Sequence, residues 1–149
     1  MNGVSIVTNP TNNFLAVYGT LMEGMSNHGV IKGRAKLIAP KVKIKGALYA
    51  VGGNGFPCFV SDEKKYPNET ITAEVWEVTD PSAWEALDYL EGYDKNDPGR
   101  SMYIRRPIQI NESGKEFFEG QAVNIYEWNG PITHLKYIAT GDWKEYVSF

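Results

Sequence analysis

Two short stretches of this chain hold residues suited to chemistry. Glu91 stands in Leu87-Asp88-Tyr89-Leu90-Glu91-Gly92-Tyr93, and Tyr18-Gly19-Thr20-Leu21 follows an apolar run. A carboxyl group shielded from water has a raised pKa, and near neutral pH it can take a proton and return it. A Gly-Thr turn at a strand end can present successive backbone N–H groups into a concavity, which suits a carboxylate or an oxyanion. Together the two would set an anion site against an acid/base.

The element that positions Glu91 reads as a short amphipathic helix. Asp80 is a favoured N-cap, and Pro81 fits the first helical position because its missing N–H has no partner there. Gly92 closes the helix by tolerating the left-handed C′ conformation. Ala83, Trp84, Ala86, Leu87 and Leu90 share one side of the 3.6-residue wheel, and Glu91 falls on that side. Glu85 and Tyr89 point the other way, with Asp88 at the border. Burial and the negative end of the helix dipole both disfavour an ionised Glu91. Two roles fit this periodicity: a buried acid/base, or a solvated or loop-capping carboxylate at a helix end.

The turn at Gly19-Thr20 is positioned by Phe14-Leu15-Ala16-Val17-Tyr18, a continuous apolar run of strand length that predicts a strand covered on both faces. A short helix is expected near Ser26 or Asn27. Alternation marks a strand from Val42 to Lys45 that carries through Gly46 to Val51. Gly52-Gly53-Asn54-Gly55 reads as a turn or flexible rim. Phe56-Pro57-Cys58-Phe59-Val60 is interrupted by Pro and reads as an edge or irregular segment. Further strands are expected at Ile71–Val78, Tyr103–Ile110 and Gln121–Trp128. The last two form a hairpin around Asn111-Glu112-Ser113-Gly114. The tail from Thr133 predicts a short helix before Gly141. With one or two short helices and no regular βαβ alternation, the expected class is α+β, a small mixed sheet curled into a barrel with flanking helices. One domain over 1–149 is expected, with 1–13 as a polar leader.

Composition excludes several functions. Fifteen basic against eighteen acidic residues give a net charge of −3, which leaves no footprint for nucleic acid or anionic membrane. Lys41-Val42-Lys43-Ile44-Lys45 alternates with apolar residues, as a strand with one wet face does. No apolar run approaches bilayer length, and no secretory signal opens the sequence. The single cysteine, Cys58, rules out an internal disulfide and suits a reducing, cytoplasmic setting; between Pro57 and Phe59 it reads as a buried apolar residue. The sequons at Asn68 and Asn111 then occur by chance. With only His28 and His134 and no second cysteine, a zinc site is disfavoured. Asp94-Lys95-Asn96-Asp97-Pro98-Gly99 opens like a calcium loop, but Pro98 and Arg105 stand where ligands are required. The Gly52–Gly55 stretch lacks the residues of a phosphate-binding loop.

Several segments occur together in a known order: Tyr18-Gly19-Thr20-Leu21 with Gly24 and Asn27-His28, Gly46-Ala47-Leu48-Tyr49, Phe56-Pro57, Leu87-Asp88-x-Leu90-Glu91-Gly92-Tyr93, Tyr103-x-Arg105, Ala122-x-x-x-Tyr126 and Ile138-x-x-Gly141-Asp142-Trp143. In this order they resemble the gamma-glutamylcyclotransferase-like superfamily, most closely its gamma-glutamylamine cyclotransferase and AIG2-like branch, over roughly residues 14–146. The resemblance implies a small mixed β-barrel with a cavity between the Tyr18–Leu21 loop and the glutamate. It also implies a proton-shuttle role for Glu91 in releasing 5-oxoproline and a free amine or amino acid from a small γ-glutamyl compound, chemistry allied to glutathione metabolism. Backbone amides of Gly19, Thr20 and Leu21 would hold the substrate carboxylate or the oxyanion, and Tyr18 and Tyr126 would line the pocket. Arg105 would touch the substrate, buttress Glu91, or form a surface ion pair. No metal or cofactor is called for. The contrasting expectation is a non-catalytic protein of the same fold that binds or sequesters a small metabolite. Neither the amine side of the substrate nor the oligomeric state follows from the sequence.

Overall fold

The computed structural model describes residues 13–53, 55–62, 64–111, 114–118 and 120–148. Residues 1–12 of the expected polar leader (1–13), Asn54 of the Gly-rich turn, and Glu112 and Ser113 of the expected hairpin turn lie outside the described residues. The elements are β1 (Phe14–Val17), β2 (Ala35–Lys45), β3 (Ala47–Val51), β4 (Phe56–Val60), β5 (Thr70–Val78), α1 (Ser82–Glu91), β6 (Tyr103–Gln109), β7 (Ala122–Trp128), β8 (Lys136–Tyr137) and α2 (Trp143–Val147). One-turn 3₁₀ helices lie at His28–Val30, Pro98–Arg100 and Lys115–Phe117.

The class is α+β, as expected, and the barrel is built from two sheets. The larger has the order β2-β5-β1-β7-β6, and the smaller β4-β3-β8. Pairing is antiparallel except where β1 lies parallel to β7, with Leu15 opposite Asn124. The small sheet meets the large one where β4 packs on β7 and β3 on β5. The apolar run at β1 becomes an inner strand: Leu15, Ala16 and Val17 are buried between neighbours on either side. Each large apolar side chain so buried contributes ~1.5–3 kcal/mol. The chain leaves one sheet for the other at Gly46, whose N–H donates to Glu69 O.

Three local expectations change. First, β2 begins seven residues before Val42. Its register against β5 slips between Leu37 and Ala39 and again between Ala39 and Val42, so bulges around Pro40 hide its start from a period-two search. As a sheet edge, β2 tolerates the missing Pro40 donor. Second, the Pro-interrupted stretch at Phe56 is a regular strand, paired in full register with β3 from Ala47↔Val60 to Val51↔Phe56; it does sit at a sheet edge. Third, the tail helix follows Gly141 instead of preceding it. Residues before Gly141 pair with β3 as β8, while Asp142 caps α2 by accepting from Glu145 N at 3.2 Å and Trp143 is buried.

Candidate active site

Helix α1 aims its last residue into a cavity. Asp80 Oδ1 accepts from Ser82 N at 3.0 Å and so caps the helix from one residue outside Pro81. Ala83 and Leu87 are fully buried and fix the helix face, whereas Tyr89 is 90% exposed on the far side. Gly92 adopts φ 65° and ψ 37°, and its N–H and that of Tyr93 cap the last carbonyls, donating to Tyr89 O at 3.2 Å and Asp88 O at 2.9 Å. Met102 N then donates to Gly92 O at 3.0 Å, tying the helix end to the start of β6. With Leu87 inward, Glu91 one turn later faces inward too.

The opposite wall is the turn after β1. Its carbonyls are all engaged by the protein. Gly19 O accepts from Met22 N at 3.0 Å, Thr20 O from Asn27 N at 2.8 Å, and Leu21 O from His28 Nδ1 at 2.9 Å. Asn27 Nδ2 also donates to Thr20 Oγ1 at 2.9 Å. Among the described residues, by contrast, no acceptor meets the N–H groups of Gly19, Thr20 and Leu21. A run of unpaired N–H groups with its carbonyls fixed elsewhere is an anion-binding nest. Gly19 is required by close approach, since a Cβ there would run into the Pro57 ring.

Between these walls lies a cavity of about 280 Å³. Its floor is formed by the buried residues Ala16, Val17, Tyr18, Gly19, Leu21, Pro57, Tyr103 and Tyr126, and its rim by Ser26, Gly55, Leu90 and Met102, with Thr20, Asn27, Phe56 and Glu91 between. Glu91 is the only ionisable carboxyl among them. Burial raises its pKa from 4.5 to about 7. No donor among the described residues reaches that carboxyl, so nothing offsets the cost of its charge.

Tyr18, Gly19, Thr20, Leu21, Glu91 and Tyr126 therefore line one cavity, although the chain brings them from three separate regions. Arg105 is not part of the lining. Its Nη1 lies 3.5 Å from Asp88 Oδ1, and its guanidinium stacks 4.7 Å from the Trp84 ring and 5.8 Å from the Tyr93 ring. Asp88 also accepts from Tyr126 Oη at 2.6 Å, so the ion pair braces the helix and the cavity wall together. Sequence reasoning did not name Tyr103, Asn27 or Leu90 as wall residues. Nothing in the sequence aims Tyr103 inward, since that depends on its pairing with Trp128 across the hairpin.

Cys58 is fully buried, and burial pushes its thiol up to about 12, which makes it an apolar filler and not a nucleophile. Among the described residues, no group of three His, Cys, Asp or Glu side chains could hold a metal ion. No helix among them is long and apolar enough to cross a membrane.

Comparison with known proteins identifies the family of the chain. The profile of the family described as "Gamma-glutamyl cyclotransferase, AIG2-like" matches residues 15–145. A relative from Niallia circulans, described as "Gamma-L-glutamyl-butirosin B gamma-glutamyl cyclotransferase", is 32% identical over 134 residues, covering 89% of this chain and 76% of that protein. Two crystal structures share the fold. An uncharacterized protein from Pyrococcus horikoshii has 24% identity and TM-score 0.64, covering 91% of this chain and 92% of its own. An AIG2-like protein from Mus musculus has 21% identity and TM-score 0.56, with 86% of each chain covered. A family profile spanning nearly the whole sequence, joined by that curated relative, shows that the chain belongs to the AIG2-like gamma-glutamyl cyclotransferases and is an enzyme of that type.

Proposed function

We propose that this enzyme closes the ring of a small γ-glutamyl compound, releasing 5-oxoproline and a free amine or amino acid, with Glu91 as the proton shuttle. One observation carries the proposal: Glu91, with its pKa raised to about 7 and, among the described residues, no donor on its carboxyl, faces across one cavity the N–H groups of Gly19, Thr20 and Leu21, which meet no acceptor among those residues. Glu91 takes a proton from the substrate α-ammonium. The freed amine attacks the γ-carbonyl of the same molecule, the C–N bond to the leaving amine breaks as Glu91 returns the proton to it, and the second proton of the ring nitrogen passes to the released amine, which leaves as its ammonium. The nest holds the substrate carboxylate or the developing oxyanion. Ring closure is intramolecular, so holding the substrate folded supplies much of the rate. A group with a pKa near 7 can act as base and then acid without a large penalty in either role. Tyr18 and Tyr126 shape the cavity wall. Arg105 acts through Asp88 and Tyr126 and not on the substrate directly.

The test is to incubate the protein with γ-glutamyl amino acids, γ-glutamyl amines and glutathione and to measure 5-oxoproline by mass spectrometry. Release by the native protein and its loss in Glu91→Gln is the expected result. Turnover that survives the substitution overturns the mechanism.

A further inference from the structure

The three tyrosines of the cavity wall share a property that the shuttle alone does not require. Each phenol has one proton to donate and lone pairs to accept with. In each, the proton is committed to the protein. Tyr18 Oη donates to Tyr126 O at 2.6 Å, Tyr103 Oη donates to Pro57 O at 2.8 Å, and Tyr126 Oη donates to Asp88 Oδ1 at 2.6 Å. The first two bonds are buried, and the third is assisted by the carboxylate charge, so turning a phenol to donate elsewhere would strand its acceptor. All three residues line the same cavity as Glu91. Burial is the chief reason each phenol resists ionisation, and the negative charge of Glu91 adds a lesser contribution at all three. What they can offer the cavity is lone pairs, of which Tyr18 already has one met by the Phe59 backbone N–H.

We infer that Tyr18, Tyr103 and Tyr126, with their protons engaged elsewhere, form with Glu91 an acceptor-only receptor for a primary ammonium group. An ammonium carries three donors and no acceptor, the complement of such a wall. A hydroxyl ligand with one donor, or a neutral apolar group, leaves acceptors unmet. The receptor deepens the function proposed above and rests on it for the identity of the ligand: the substrate α-ammonium is bound at the phenols beside the group that deprotonates it. A bound cation also favours the ionised carboxylate, so the ligand itself readies Glu91 as a base.

Calorimetry on the Glu91→Gln protein, which keeps an acceptor oxygen and prevents turnover, tests this. The ligands are γ-glutamyl-p-nitroanilide, its des-amino counterpart glutaryl-p-nitroanilide, and the N-trimethylated γ-glutamyl anilide, which keeps the charge and loses the donors. The primary ammonium ligand is expected to bind about 10–100-fold more tightly than the other two, as hydrogen bonds to a charged group warrant. In that background Tyr103→Phe and Tyr126→Phe are each expected to weaken it several-fold while moving the des-amino ligand less than about twofold. Equal affinity for the amino and des-amino ligands overturns the receptor, and so does a trimethylated ligand that binds like the primary amine. Variants that weaken both ligands equally overturn it too. The ligand series needs no tyrosine variant, so a substitution that fails to fold leaves the test intact. Ammonium selectivity without 5-oxoproline release from the native protein would sink the ring-closure proposal and spare the receptor; release without selectivity would do the reverse.

Discussion

Glu74 and Glu91 are both carboxylates largely removed from water, and they have opposite surroundings. Glu74, on β5, is only 7% exposed and is met by three donors: Glu23 N at 3.0 Å, Trp76 Nε1 at 2.9 Å and Lys144 Nζ at 3.1 Å. It stitches the loop after β1 to β5 and to α2. Glu91 has no donor among the described residues, and its carboxyl opens on a cavity. The sheet uses its carboxylate as structural glue; the helix end holds its carboxylate unsatisfied, where the charge is costly and a proton can come and go. Burial alone does not mark a functional acid. The absence of partners facing a cavity is what singles out Glu91 as the proposed one.

The largest expected effect that could break this contrast is on turnover. Glu91→Gln is expected to lower kcat about 10²–10⁴-fold, the usual worth of a positioned acid/base, whereas Glu74→Gln keeps most of it. A stopped assay of 5-oxoproline with both variants decides it, and equal losses would erase the distinction.

Stability is expected to run the other way. Glu74→Ala strands the Trp76 and Glu23 N–H groups and should cost ~2–4 kcal/mol in urea unfolding. For Glu91 the sign follows from its raised pKa. Ionisation is disfavoured in the folded state, so the cost is absent below about pH 4.5, grows as pH rises, and is complete above about 7. Glu91→Gln removes that cost and should stabilise the protein by roughly 1–3 kcal/mol at pH 8 and little at pH 4.5. Melting curves at the two pH values check this; a destabilised Glu91→Gln at pH 8 would mean the carboxylate has partners after all.

The same ionisation should show in kinetics. As the base, Glu91 must start deprotonated, so kcat/KM is expected to fall on acidification with a midpoint near 7, and Glu74→Gln should leave that midpoint in place. A midpoint near 4.5 would mean that the cavity does not shield Glu91.

Gly19→Ala probes the facing wall. Its Cβ would push against the Pro57 ring, and the resulting shift of the loop should lower kcat/KM about tenfold or more, with a loss of ~1–3 kcal/mol of stability. The smallest effect belongs to Tyr89→Ser, on the exposed face of α1, which should stay within about 0.5 kcal/mol of the parent protein in the same unfolding assay.

Much of α1 was legible because local rules govern it. An Asp80 cap, a Gly92 stop and a 3.6-residue apolar stripe placed Glu91 on the inner face without knowledge of what lay opposite. β1 was legible for a similar reason, as an unbroken apolar run of strand length that stops at Gly19 suits a strand covered on both sides. The start of β2 was not, because its bulges break the period on which such searches depend. The tail was misread because β8 is two residues long and owes its existence to β3.

The sequence by itself determined which residues are proposed to carry the chemistry, since the types and order of Tyr18–Leu21 and Leu87–Tyr93 are properties of the chain. Tertiary structure alone decided their relations. It took Arg105 out of the cavity and set it on Asp88, and it brought Tyr103 in through a cross-strand register. It also gave Glu74 three donors while leaving Glu91 none among the described residues. Periodicity encodes which way a side chain points. Whether a partner waits there depends on segments tens of residues away, and no local pattern records that.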